Sequence, residues 1–346
     1  MIRRCLTVML LLVAAGACAG DQPDSVGAVW RWRPPPKGSV GMPGTDDRSV
    51  AFTYGHLRLV LLDAEGHVRW ETERLGLRDV APLLLSDRVI AATDTGTAAF
   101  DRATGRVLWD VDLGDRANTP VVAADRHLAV TTWDGRLLVL DTSTGAVQHT
   151  VALPGAVLGP AAGGEGVAVA AWDDGFEAGV VAVDASTGAV RWQQDVAADG
   201  VSSPAIAADN AVVVTGDAQV VAFAIADGRR AWTRRTSGAG SPEVPPFPGT
   251  ELIVADRLGG LLGLAPRDGR VRWQVDGRGA AVRGGPAATG NLVVMPVDDG
   301  RALVRDGSRV TVLDPPGRVS GVAAGPDGLV LVATREAEQN ELVAYR

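Results

Sequence analysis

Cysteine is almost missing from this chain. Cys5 and Cys18 are the whole supply, and both fall within the first twenty residues. The rest can form no internal disulfide and no cysteine-based zinc site. Histidine is also scarce: His56, His67, His127 and His149 show no metal-ligand spacing, so no metal is expected. Lys37 is the one lysine among 33 basic residues, a mark of GC-rich coding rather than of chemistry. Positive charge is in deficit overall, with a formal net charge of −8. An acidic chain repels phosphate backbones, which excludes nucleic acid as a partner class. Catalytic signatures are missing too: there is no Gly-x-Ser-x-Gly elbow and no phosphate-binding glycine loop. Asp110-x-Asp112-x-x-Asp115 lacks the closing glutamate of a calcium loop. Helical periodicity is absent, and no apolar run is long enough for a permanent membrane helix.

What is present begins with an export signal. Arg3 and Arg4 precede a short apolar stretch, Leu6–Ala15. Ala15-Gly16-Ala17-Cys18 resembles a bacterial lipobox, which would make Cys18 the acylated residue. Ala17-Cys18-Ala19 also reads as a small-x-small cleavage site, which would release the chain. The lipobox reading gives an extracytoplasmic protein anchored to the membrane through its N-terminal lipid alone; the other gives a secreted one. Residues 1–19 are thus assigned to signal and lipobox, 20–27 to a polar tether, and 28–346 to one folded domain.

That domain is repetitive. Gly-x-x-x-Trp recurs at Gly66–Trp70, Gly105–Trp109, Gly188–Trp192, Gly228–Trp232 and Gly269–Trp273, with Gly145–His149 as a variant. The last positions are 39, 40, 43, 40 and 41 residues apart, the signature of one supersecondary unit reused. The unit over 119–151 holds four short apolar runs separated by turn residues, so it predicts a four-stranded antiparallel meander, strands A to D. The C–D turns are Asp-rich and end in Gly, as in Asp101–Gly105, Asp141–Gly145 and Asp184–Gly188. A proline stands near each strand A, at Pro43, Pro82, Pro120, Pro160, Pro204, Pro246 and Pro286, and an eighth such run begins near Val319. The chain finishes on a strand C, Glu341–Tyr345, and the domain starts on a strand D, around Ala28–Trp32. Joined, these complete one unit and leave no open sheet edge. The expected fold is all-β: an eight-bladed propeller of four-stranded antiparallel blades, closed by its N-terminal strand pairing with its C-terminal strand. Seven blades is the alternative, because the seventh unit has Thr311 where Trp is due after Gly307.

Ala99-Phe100-Asp101-Arg102-Ala103-Thr104-Gly105-Arg106-Val107-Leu108-Trp109 resembles the docking motif of pyrroloquinoline-quinone-type propeller repeats, and Ala182–Trp192 matches it as fully. The resemblance covers essentially the whole domain. It implies that Trp70, Trp109, Trp192, Trp232 and Trp273 are structural wedges between blades. The family includes quinone-dependent alcohol and glucose dehydrogenases. It also includes non-enzymatic members, among them a lipoprotein of the outer-membrane assembly machine. The quinone dehydrogenases carry an adjacent Cys–Cys pair over the cofactor, which is absent here. The reading is therefore a non-enzymatic, monomeric scaffold with no cofactor. A dehydrogenase-like protein and an outer-membrane assembly component are the alternatives.

In such a ring the D–A and B–C connections share one face, and here they vary while the C–D turns do not. Variable loops on a rigid frame are where binding resides. Trp133 and Trp172 take equivalent B–C positions on this reading, and Asp173, Asp174, Phe176 and Glu177 form the longest B–C loop. Together they are the candidate surface for a protein or a cell-wall polymer. The competing reading has the indoles packed at strand ends and the carboxylates capping turns. The proline-rich D–A connection over 237–249 is a third candidate edge.

Overall fold

The computed structural model describes residues 27–34, 38–114, 120–157, 159–196, 200–236, 244–255, 260–275, 285, 287–289, 292–297, 300–307, 309–313, 315, 317–335 and 340–346. Cys18, all of the tether but Gly27, and most of the proline-rich connection lie outside them. Eight sheets make up the ring. Blades 1 to 7 span 44–73, 83–112, 122–152, 162–196, 205–235, 252–275 and 287–313. Blade 8 pairs Arg318–Ala324, Val330–Arg335 and Glu341–Tyr345 with the N-terminal strand Ala28–Trp32. The closing register is Ala28 to Tyr345, Trp30 to Ala344, Arg31 to Val343 and Trp32 to Leu342. The seventh unit keeps all four strands despite its weak motif, so the count is eight.

Both faces of each blade are covered by neighbouring blades, and the strands read accordingly. Strands B and C are apolar almost throughout, as in Ser49–Tyr54 and Arg58–Asp63. Strand D, at the rim, alternates, and in Val107–Asp112 the Trp is the buried position. Among the described residues nine hydrophobic clusters fill the ring, each joining residues of two successive blades, with two of them at the seam of blades 3 and 4. The core is thus a cycle of eight seams rather than one centre. Blade 6 shows three strands among the described residues. Its strand A is reduced to a single bridge, Phe247 to Ile253, between Pro246 and Pro248, which have no N–H to give a ladder.

The seams are keyed by a repeated exchange. Four of the five expected docking rings donate the indole N–H to a carbonyl in the next blade's C–D turn: Trp70 to Arg102 at 2.8 Å, Trp109 to Thr142 at 3.1 Å, Trp192 to Ile225 at 2.8 Å and Trp232 to Pro266 at 3.1 Å; the fifth, Trp273, departs from the expectation and donates to Glu251 beside its own blade. His149 Nε2 makes the same contact with Ser186 at 3.1 Å. Trp30 makes it with Ala64 at 3.1 Å, sealing blade 8 to blade 1. Trp30 is a docking ring that the motif search does not find, although it lies forty residues before Trp70. The turn glycine lies on the preceding blade's ring. A Cβ on Gly105 would come within 2.8 Å of Trp70, and one on Gly145 within 2.6 Å of Trp109. Within one Gly-x-x-x-Trp, the glycine therefore serves the seam behind and the tryptophan the seam ahead.

Candidate functional site

The two faces separate as the connectivity requires. D–A connections run beside the ends of strands B, in the bridges Leu77 to Thr93, Ala156 to Asp173 and Val201 to Thr215. C–D turns bond to A–B turns on the other side, as in Arg102 N–H to Asp87 O at 3.0 Å and Ile225 N–H to Asp209 O at 2.9 Å.

On the D–A/B–C face, Trp133 sits in a tight turn of blade 3 and is 46% exposed. Phe176, in the blade 4 loop, is 96% exposed. Trp172 is not with them: it is 3% exposed. The register gives the reason. Thr132 pairs with Arg136 at the end of the blade 3 hairpin, and Trp172 pairs with Gly179 at the matching position of blade 4. Trp172 is thus the counterpart of Thr132, and Asp173 that of Trp133. A one-residue offset along a strand turns the side chain to the opposite face. Gly179 provides the space, since a Cβ there would meet the indole at 2.7 Å. The equivalence of the two tryptophans is therefore corrected, and Trp172 is no surface anchor. Its Nε1 is buried without a hydrogen-bond partner beside a small void of about 10 Å³, at the lower limit for one water.

The loop carboxylates are engaged locally. Asp173 Oδ1 accepts from Gly175 N–H at 2.7 Å. Asp174 Oδ1 accepts from Glu177 N–H at 2.7 Å and Phe176 N–H at 2.9 Å, and these bonds hold its carboxyl below the usual range. Glu177 is exposed. Leu75, in the blade 1 to blade 2 connection, is a further exposed apolar tip on this face. Sequence reading passes over it, the one signal being an apolar residue set between Arg74 and Gly76.

Three clefts lie on the opposite face. One of about 510 Å³ is lined by Arg48, Asp63, Asp87 and Arg102, among others, with Arg102 paired to Asp46 at 2.5 Å. Two more, of about 470 and 360 Å³, adjoin at Gly249, Thr250 and Arg272. Asp63, Glu65 and His67 bring potential ligand atoms within 4.8 Å of one another in the blade 1 C–D turn. There Asp63 Oδ1 already caps His67 N–H at 2.8 Å, as the turn aspartates of other blades do. Among the described residues the one buried carboxylate is Glu341, and Arg31 and Arg33 hold its two oxygens at 2.9 and 3.0 Å. No described helix is long and apolar enough to cross a membrane.

The sequence matches the family described as "Outer membrane protein assembly factor BamB" over residues 22–109, 94–178 and 159–308. No curated protein matches it. Among solved structures, BamB from Moraxella catarrhalis is 24% identical over 80% of this chain and 83% of its own, with a TM-score of 0.59. A europium-containing methanol dehydrogenase is 11% identical over 91% of this chain and 85% of its own, at 0.66. The computationally designed Ika8 protein is 15% identical over 81% and 97%, at 0.56. An enzyme, an assembly factor and a designed ring share this architecture, so these likenesses speak to the fold.

Proposed function

This chain belongs to the propeller-repeat family described as outer membrane protein assembly factor BamB, and we propose that it is an exported, lipid-anchored, non-enzymatic scaffold that docks another envelope protein on its D–A/B–C face. Acylation of Cys18 is part of the proposal, and so is anchoring by that lipid. The observation that carries it is the pairing of Trp133 and Phe176 as exposed aromatic tips on the face whose loops vary. Large aromatic side chains held out on short, capped loops are what interface hot spots are made of. Asp174 makes the Phe176 loop stiff before any partner arrives, which lowers the ordering cost of binding. The dehydrogenase alternative needs carboxylate oxygens converging beside a quinone, whereas the buried carboxylate of the described residues is already neutralised by two arginines. The family name makes a β-barrel assembly complex one setting for such a scaffold.

A photoreactive residue placed at position 133 or 176, and at 143 on the opposite face, tests the reading in intact envelopes. Crosslinks to one defined protein from 133 and 176, none from 143, and loss of them when the other aromatic is changed to alanine are expected. Equal labelling from all three positions would refute it.

A further inference from the structure

The seam between blades 6 and 7 breaks the docking rule. Trp273 does not reach the turn of blade 7. It turns back into its own blade and donates its indole N–H to Glu251. Gly263, at the place where Trp109, Trp192 and Trp232 face an alanine, makes room for it. The cause lies in the next blade. In blade 7 Asp306 pairs with Arg309, leaving two residues between them. In blade 2 Phe100 pairs with Val107 across six residues, after a bulge. The hairpin is four residues shorter than its counterpart in blade 2, and a Cβ on Gly307 would meet nothing within 4 Å. The wedge space stays open as a cleft of about 360 Å³.

The lining of this cleft is not that of a packing defect. Arg305 lies over the face of Trp273, with its guanidinium carbon 3.7 Å from the ring centre. Arg272 stands at the same opening. Among the described residues no carboxylate lies within salt-bridge distance of either, in a chain whose other arginines are widely paired. Ile253, Ala288 and Val293 form an apolar floor. Glu251 is at the rim, and its charge weighs against a multiply charged anion.

We propose that this opened seam binds a small monocarboxylate with an apolar body, its carboxylate on Arg305 and Arg272 and its body on Ile253, Ala288 and Val293. A planar guanidinium fork held over an indole suits carboxylate recognition, and the floor supplies the hydrophobic part of the affinity. The site lies on the face opposite Trp133 and Phe176, so it does not overlap the proposed docking surface.

Benzoate is the probe, with benzyl alcohol and inorganic phosphate as the other arms. The readout is the Trp273 indole N–H resonance of the mature chain, assigned with Trp273→Phe. Benzoate is expected to shift it saturably with a Kd of about 1 mM or tighter, within reach of so small a ligand. Benzyl alcohol is expected to leave it unmoved, and phosphate to bind at least about tenfold more weakly than benzoate. Arg305→Gln and the exposed Arg272→Gln are each expected to weaken benzoate at least about tenfold. An unmoved resonance, phosphate binding as tightly as benzoate, or unchanged binding in folded Arg272→Gln would overturn the proposal.

Discussion

At the scale of single residues, the ring rests on a glycine and an aromatic that meet across a seam although their motifs are forty residues apart. Gly145 and Gly307 separate two contributions to that contact. Both have positive φ, +73° and +56°, so alanine at either position pays the left-handed penalty of an L-residue. Only at Gly145 does the new methyl also enter a neighbour, the Trp109 ring at 2.6 Å; at Gly307 it finds open space. Gly145→Ala is therefore expected to cost about 2–4 kcal/mol and Gly307→Ala about 1 kcal/mol, measured by denaturant unfolding. Equal losses would show that backbone strain alone selects glycine in these turns. The same pair shows what a sequence can and cannot convey. The turn at Gly145 and the wedge at Trp109 were legible because both belong to a recurring motif, but that the two meet was not, since they belong to different copies of it. The vacancy at Gly307 follows from a hairpin length, which has meaning only once the register is known.

At the scale of elements, the C–D turns are held by aspartates that fold back onto the chain. Asp141 Oδ1 accepts from Ser143 and Thr144 N–H at 2.9 Å each, and Asp184 Oδ1 from Ser186 N–H at 3.0 Å. Hydroxyl donors do most to lower these carboxyls: Ser143 and then Thr144 for Asp141, and Ser186, followed by Arg191, for Asp184. A carboxyl lowered in the folded state adds stability that is complete above its unfolded pKa of about 4 and is lost as pH falls through the folded value. The melting temperature should thus drop as pH is lowered below about 4. Asp141→Asn with Asp184→Asn should melt lower at neutral pH and lose less on acidification. A double variant whose melting curve falls in parallel with the parent's would place the acid sensitivity elsewhere. Sequence reading found these turns because Asp, Thr and Gly stand at fixed offsets. It misplaced Trp172 because the B–C turn was aligned by its Trp-Asp pair rather than by pairing register, and one residue of slip inverts a side chain.

At the scale of the whole molecule, closure is the feature most fully legible beforehand, since a lone strand D at one end and a lone strand C at the other have one mutual use. The side-chain clasp that accompanies it was not legible. Glu341 is separated from Arg31 and Arg33 by some three hundred residues, and no local pattern joins them. The clasp also tests whether the ring is held by backbone pairing alone. Glu341 keeps only 5% side-chain exposure, while Arg31 and Arg33 keep 38% and 61%. Removing both arginines leaves a carboxylate in the seam without its counter-charges. Such a loss costs about 3–5 kcal/mol for a fully buried pair. Because the arginines are partly solvated, about 2–3 kcal/mol is expected here for Arg31→Ser with Arg33→Ser. Replacing the stranded carboxylate by an amide in the same chain removes the unpaired charge, so adding Glu341→Gln should recover at least half of the loss. Unfolding in denaturant reads all three proteins, with Trp30 and Trp32 fluorescence reporting on the seam itself, because both rings pack into the cluster between blades 8 and 1. If the clasp matters only as surface charge, the double variant will unfold within about 0.5 kcal/mol of the parent and the amide will rescue nothing. If instead it holds the two ends of the chain in register, loss and rescue will appear together, and the seam fluorescence of the double variant will change before global unfolding.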